Sequence, residues 1–214
     1  DLHQERFTLV EHQVRPSEVI DPRVLETLMT ARRQDFVPPR HRKLAFADLP
    51  LPLEHGEVMM KPVVEGRMLQ AMAITPGDDV LEVGTGSGFV TACLAALARD
   101  VTSIDRHADF VERTRARLVA ESITNVRVET ADVFTWTPGR QFDAICITGA
   151  VATHPDRFGA WLKPGGRLFV IHGQAPVQEA VLITRHGDSF HRESLFETDV
   201  PYLHGAEPAS QFTL

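Results

Sequence analysis

The chain has 214 residues, with 22 Lys plus Arg against 29 Asp plus Glu and a formal charge of −7. Hydrophobic residues make up 43% and charged residues 24%, which excludes disorder or collagen-like structure for the whole chain and suits one domain, or one domain with an extension, that builds its core without disulfides. The acidity leaves no footprint for nucleic acid, no apolar run nears the ~20 residues of a membrane span, and DLHQERFTLVEHQV lacks a signal-peptide core, so a cytoplasmic protein without nucleic-acid or membrane partners is expected.

Residues from about 6 to 48 read as helical pieces. Asp21 caps a helix with Pro22 in its first position, and Val24, Leu25 and Leu28 share one face, to about Arg32. Phe36-Val37-Pro38-Pro39 breaks it, and His41 to Ala47 reads as a second short helix. Arg32-Arg33 and His41-Arg42-Lys43 read as a solvated basic face. The Pro-rich stretch 49–60 reads as loop with a short strand near Glu57 to Met60. From Pro62 the pattern changes. Val63, Val64, Met68, Leu69 and Met72 form a helical stripe, 75–78 is a turn, and Val80 to Val83 is a strand running into Gly84-Thr85-Gly86-Ser87-Gly88. A helix over Phe89 to Ala98, a strand ending at Asp105, a helix over Phe110 to Ser122 and a strand ending near Ala131-Asp132 follow.

Phe142 to Thr148 is a strongly apolar strand, Phe158 to Leu162 a short helix, Lys163-Pro164-Gly165-Gly166 a turn and Arg167 to His172 a strand. Ala180 to Arg185 and Ser194 to Val200 read as an antiparallel hairpin turning at 186–188. Cys93 and Cys146 lie in apolar runs and read as buried free thiols. Alternating strands and helices imply βαβ units. The fold class is α/β: a doubly wound, mostly parallel sheet over 62–214, antiparallel at its C-terminal edge, after an N-terminal helical extension and loop over 1–61.

The glycine loop is the most informative stretch. A strand, a glycine-rich turn and a helix start let a ligand lie against the main chain. The spacing is GxGxG, and Phe89 stands where a dinucleotide fingerprint needs its third glycine. Glu82 precedes the loop, Asp105 ends the next strand where a carboxylate can take ribose hydroxyls, and Asp132 ends the one after, where it could accept from an adenine amino group. A helix cap for Asp105 and a turn role for Asp132 are the competing readings. The pattern points to a nucleoside without a pyrophosphate clamp.

GluValGlyThrGlySerGly, Asp105, Ala131-Asp132 and LeuLysProGlyGlyArgLeu (162–168) resemble the class I S-adenosylmethionine-dependent methyltransferases. The resemblance implies a Rossmann-like, seven-stranded sheet. It implies that Glu82, Gly84, Thr85 and Gly86 hold the methionine end of the cofactor within the loop that Gly88 closes. Asp105 would bind the ribose and Asp132 the adenine amino group, with Val133 against the ring. S-adenosylhomocysteine would be the product.

AspProArgValLeuGlu (21–26), AspPheValPro (35–38), LeuAlaPheAlaAsp (44–48), ProLeu, HisGly (55–56) and PheAspAlaIleCysIleThrGlyAla (142–150) resemble, in that order, the protein-L-isoaspartate O-methyltransferase family. That resemblance implies protein repair: methylation of an isoaspartyl carboxylate in a protein or peptide, with a small-molecule carboxylate as the alternative partner. It implies acceptor-side roles for His55, Val58, Met60, Lys61, Thr148, Gly149 and Ala150, with Met60 and Thr148 nearest the chemistry. The family's loop carries Thr-Ile-Ser, and here Val58 and Met60 replace the two hydroxyls. A thioether is a weak acceptor and no donor, so a paralogue with another acceptor, or a cofactor-binding protein without repair activity, are competing readings. For His55 a loop-stabilising hydrogen bond, for Lys61 a solvated lysine and for Thr148 a capping role stand as alternatives. Of ten histidines, His186 and His191 pair across the hairpin without a third ligand, so no metal is expected. Nothing in the sequence asks for an obligate dimer, and a monomer is expected.

Overall fold

The computed structural model describes residues 1–155 and 157–209. Residue 156 and residues 210–214 of the domain expected over 62–214 lie outside that description. Helix α1 (Leu2–Leu9) runs on through a π-helical turn at Val10–Val14. Helix α2 (Pro22–Thr30) starts as its sequence demands, with the Asp21 side chain accepting from the Arg23 amide at 2.9 Å. It ends two residues before the expected stop because Ala31 turns extended. Helix α3 (Arg33–Phe36) follows. The short helix expected at His41 to Ala47 is a 3-10 segment over Pro39–Leu44, set earlier by a proline in the first position, where its missing N–H is not needed. Strands β1 (Leu51–Pro52) and β2 (Val58–Met59) pair as a small antiparallel ribbon. Helix α4 (Pro62–Met72) leads into the main domain.

The sheet comprises β3 (Asp79–Val83), β4 (Asp100–Asp105), β5 (Val126–Thr130), β6 (Phe142–Ile147), β7 (Leu162–His172), β8 (Gln178–His186) and β9 (Ser189–Thr198) in the order β5-β4-β3-β6-β7-β8-β9. The strands β3 to β7 are parallel, and β8 pairs antiparallel with both β7 and β9. Helices α5 (Phe89–Leu97) and α6 (Ala108–Ala120) cross from β3 to β4 and from β4 to β5. The Lys163 to Gly166 turn is corrected. It lies inside β7 as an irregularity where Phe142 pairs with Leu162 but Ala144 pairs with Arg167. A Cβ on Gly166 would stand 2.8 Å from the Lys163 carbonyl, so the crowding of that bulge explains the glycine. Sheet pairing has overridden a local turn signal.

Side chains alternate between the sheet faces with the strand period of two. Val80, Ala144 and Cys146 face one core cluster, and Leu81, Val83, Ile145 and Ile147 face the other. The first cluster takes in Leu9, Val14, Val24 and Leu28, so the N-terminal 61 residues lie as a layer on that face. The expected solvated basic face is corrected at Arg33. Its guanidinium is buried, pairs with Glu65, donates to the Ala45 carbonyl at 2.8 Å and lies 4.6 Å from the Phe89 ring centroid. Both cysteines are buried and free.

Candidate active site

The chain builds β3, β4 and β5 outward to one side, then returns to place β6 on the other side of β3. At such a reversal the loops after the neighbouring strands part, and ligands bind at the strands' carboxyl ends. A cleft opens there. It is lined by the glycine loop, the ends of β4 and β5, the β6 end and residues 57–60.

Glu82 is fully buried. Its Oε1 accepts from the Ser103 hydroxyl at 2.6 Å and from the Thr91 hydroxyl, and Ser103 shares a 2.6 Å hydrogen bond with Thr85. Its Oε2 has no partner among the described residues. Burial pushes the Glu82 carboxyl up to about 8, against the two hydroxyl hydrogen bonds. A carboxylate this dry is stable only as the acid or beside a cation. The orphaned oxygen therefore fits the ammonium of an amino-acid ligand, such as the methionine end of S-adenosylmethionine.

Gly84 holds φ at +103°, and an added Cβ would overlap the Thr148 hydroxyl. That hydroxyl donates to the Val83 and Gly84 carbonyls, both at 2.9 Å, and ties the β6 end to the loop. Asp105 Oδ2 accepts from the Gly86 amide and Oδ1 from the His107 amide, both at 2.9 Å. A carboxylate has about four acceptor sites, so this one braces the loop and keeps capacity for hydroxyls. Asp132 accepts from the Phe134 amide at 2.9 Å, and Val133 is buried beside it. The turn role of Asp132 thus coexists with a position on the cleft, whereas Asp105 is not the cap of α6, whose N-cap is His107.

Glu82, Gly84, Thr85, Gly86, Asp105, Asp132, Val133, Val58, Met60, Thr148 and Gly149 all line this one cleft. Gly88, His55, Lys61 and Ala150 stand outside its lining. Gly88 is the N-cap of α5 at φ +86°, and a Cβ there would meet Thr114 of α6 at 2.7 Å. His55 Nε2 lies 3.0 Å from the Asp109 carboxylate. Lys61 is exposed as the N-cap of α4, and Ala150 is buried in a bridge to Tyr202. His186 and His191 face each other at 6.4 Å, and the described residues contain no cluster of three or more His, Cys, Asp or Glu in ligating reach.

Several lining residues, His107 and Phe110 at the start of α6 among them, are absent from the site that the sequence reading assembles. Leu203 and His204 reach the cleft because the chain crosses Gly149, where a Cβ would lie 2.9 Å from the Leu203 backbone. Glu65 lines it from α4, with its carboxyl raised by burial against the pull of Arg33. Arg33 also donates to the Met60 carbonyl at 3.3 Å and so holds the back of the 57–60 segment. A lone acid within the apolar stripe of α4 was the available signal for Glu65. Leu203 had none.

The profile of the protein-L-isoaspartate(D-aspartate) O-methyltransferase (PCMT) family matches residues 4–203. The chain belongs to the PCMT family. It is 36% identical over 212 residues to a protein-L-isoaspartate O-methyltransferase of Methylorubrum extorquens, covering 98% of this chain and 92% of that one. It is 37% identical over 177 residues to one of Magnetococcus marinus, covering 82% and 78%. In three dimensions it resembles a Plasmodium falciparum structure described as a PCMT in complex with S-adenosyl-L-homocysteine, with a TM-score of 0.79 over 92% of this chain and 96% of that one at 19% identity. That likeness bears on the fold, and PCMT membership rests on the sequence match.

Proposed function

We propose that this PCMT-family chain transfers a methyl group from S-adenosylmethionine to the carboxylate of isoaspartyl residues in damaged proteins and peptides. The products are the methyl ester and S-adenosylhomocysteine. The observation that carries the reading is the buried Glu82 oxygen, without a partner among the described residues, at the glycine loop of a PCMT cleft. On this reading Glu82 meets the cofactor ammonium and Gly84, Thr85 and Gly86 let its methionine end lie against the backbone. Asp105 takes the ribose hydroxyls, and Asp132 and Val133 take the adenine.

When bound, the cofactor supplies an activated methyl group on a sulfonium. The acceptor carboxylate is already ionised at neutral pH, so no side chain must remove a proton. What remains is positioning and exclusion of water. Met60 is 5% exposed and, with Val58, offers a dry wall without donors. The Thr148 hydroxyl is engaged by two carbonyls, so its work is to fix the β6 end against the loop. The chain acts on this reading as a cytoplasmic monomer.

Val58 and Met60 favour one second reading: a paralogue serving a different acceptor, or a cofactor-binding protein that does not repair. The test supplies methyl-labelled S-adenosylmethionine and an isoaspartyl peptide beside its aspartyl twin. Base-labile label on the isoaspartyl peptide alone is expected. Calorimetric binding of S-adenosylhomocysteine without transfer to either peptide establishes the second reading.

A further inference from the structure

The acceptor loop is tied to the cofactor side of the cleft by one small cluster. Glu54 pairs with Arg113, His55 with Asp109 at 3.0 Å, and Glu57 lies 3.5 Å from His107. Between these pairs the His55 and His107 rings stack, with centroids 4.1 Å apart and planes 4° from parallel, and Phe110 meets both edge-on at 5.4 and 5.2 Å. His55 sits at φ +62°, a region that a side-chain-bearing residue keeps only when its surroundings hold it there.

The ties differ in kind. The side chains of His55 and Asp109 are 42% and 49% exposed, and Arg113 is 54% exposed, so the Glu54–Arg113 ion pair and the His55–Asp109 contact are weak. His107, at 17% exposed, is the best-buried member of the cluster and carries both the stack and the Glu57 contact. The loop is therefore held by contacts that a ligand can strengthen. On the other side of the stack, the His107 amide donates to Asp105 Oδ1 at 2.9 Å. Asp105 is the carboxylate proposed above for the ribose. Asp105, His107, His55 and residues 57–60 thus form one contiguous chain from the cofactor end to the acceptor wall.

We propose that the His55–His107 stack couples the two halves of the site: cofactor on Asp105 fixes the His107 junction, and through the stack it docks the acceptor loop for peptide. The coupling rests on the functional reading given above. Because linkage is reciprocal, peptide must tighten cofactor by the same factor. His55 and His107 act here as positioning residues.

The test uses S-adenosylhomocysteine as probe and the full chain, in two arms. In the first, amide hydrogen exchange over residues 54–60 is followed with and without the probe. The native chain is expected to gain protection of about tenfold or more, and His55→Asn about threefold or less. Asn tolerates the positive φ and cannot stack, so the substitution removes the ring, and with it the exposed His55–Asp109 contact, without adding strain. His107→Phe keeps an aromatic face and is expected to retain the protection, which a merely destabilised loop would not do. In the second arm, calorimetry measures the affinity of the probe with and without an isoaspartyl peptide. A mutual tightening of about fivefold or more is expected for the native chain and its loss in His55→Asn. Equal loop protection in His55→Asn and the native chain, or absence of protection in the native chain, overturns the proposal. Loop protection with no peptide binding supports the coupling and overturns the isoaspartyl reading instead.

Discussion

The Ser103 hydroxyl donates to Glu82 Oε1 at 2.6 Å, while Oε2 of the same buried carboxylate has no partner among the described residues. With the carboxyl pushed up to about 8 by burial, the ligand-free site is mainly protonated at neutral pH and must ionise to meet an ammonium. Calorimetry of S-adenosylhomocysteine binding at pH 7 in buffers of different ionisation enthalpy is therefore expected to register proton release. Affinity should rise with pH and level off above about 8. The stability of the ligand-free protein moves the other way. A raised folded-state value favours folding at low pH, and that contribution is lost as pH rises through about 8. Glu82→Gln should remove both dependences. Buffer-independent enthalpies in the native chain would contradict this account of Glu82.

Gly84 has no room for a side chain, because the Thr148 hydroxyl fills the place of its Cβ and φ is +103°. Gly84→Ala is expected to weaken S-adenosylhomocysteine by at least about tenfold and to lower stability by ~1–3 kcal/mol. Thr148→Ala in the same chain should recover the steric part and leave the backbone part, a coupling of ~0.5–3 kcal/mol in a double-mutant cycle. Additive effects would mean that the two residues do not meet.

Arg33 and Glu65 are both buried and paired. Arg33→Met leaves an unpaired buried carboxyl and is expected to lower stability by ~3–5 kcal/mol in urea unfolding. The loss should shrink as pH falls, because burial raises the Glu65 carboxyl and lets it take a proton. Arg33→Met with Glu65→Leu should restore most of it. Because Arg33 also holds the Met60 carbonyl, the double variant should recover stability without fully recovering peptide KM.

The central strand-loop-helix unit was legible because its signals are local. Glu82, Gly84, Gly86, Asp105 and Asp132 each sit at or just past a strand end that residue periodicity marks, and the structure brings them to one cleft. What escaped was set by distance along the chain. Arg33 meets Glu65 across 32 residues, and local charge alone made it look solvated. Leu203 reaches Gly149 through a crossing that no local pattern encodes. Lys163 to Gly166 carries a turn composition, yet pairing with β6 draws it into β7 as a bulge. The GxGxG spacing marked Gly88 as part of the cofactor loop, while its immediate contact is helix packing against Thr114.

Met60 tests the acceptor wall from the other direction. On the proposed function Met60→Ser places a donor beside the acceptor carboxylate, and one added hydrogen bond of ~1–3 kcal/mol is worth roughly 5- to 150-fold in kcat/KM on an isoaspartyl peptide. The exchange also removes a buried side chain, so a lower Tm is expected, with a loss of ~2–5 kcal/mol on the scale of Met→Ala. Activity that rises while stability falls would be the signature of a reshaped but correctly placed loop. An unchanged kcat/KM would place the acceptor elsewhere in the cleft.

The most direct measurement is kcat/KM of the native chain on an isoaspartyl peptide and on its aspartyl twin, at saturating S-adenosylmethionine. Turnover confined to the isoaspartyl form is the expected result, and it would show that a wall of Val58 and Met60 still orients the carboxylate. Equal rates on the two peptides, or no turnover of either by a chain that binds the cofactor, would contradict it.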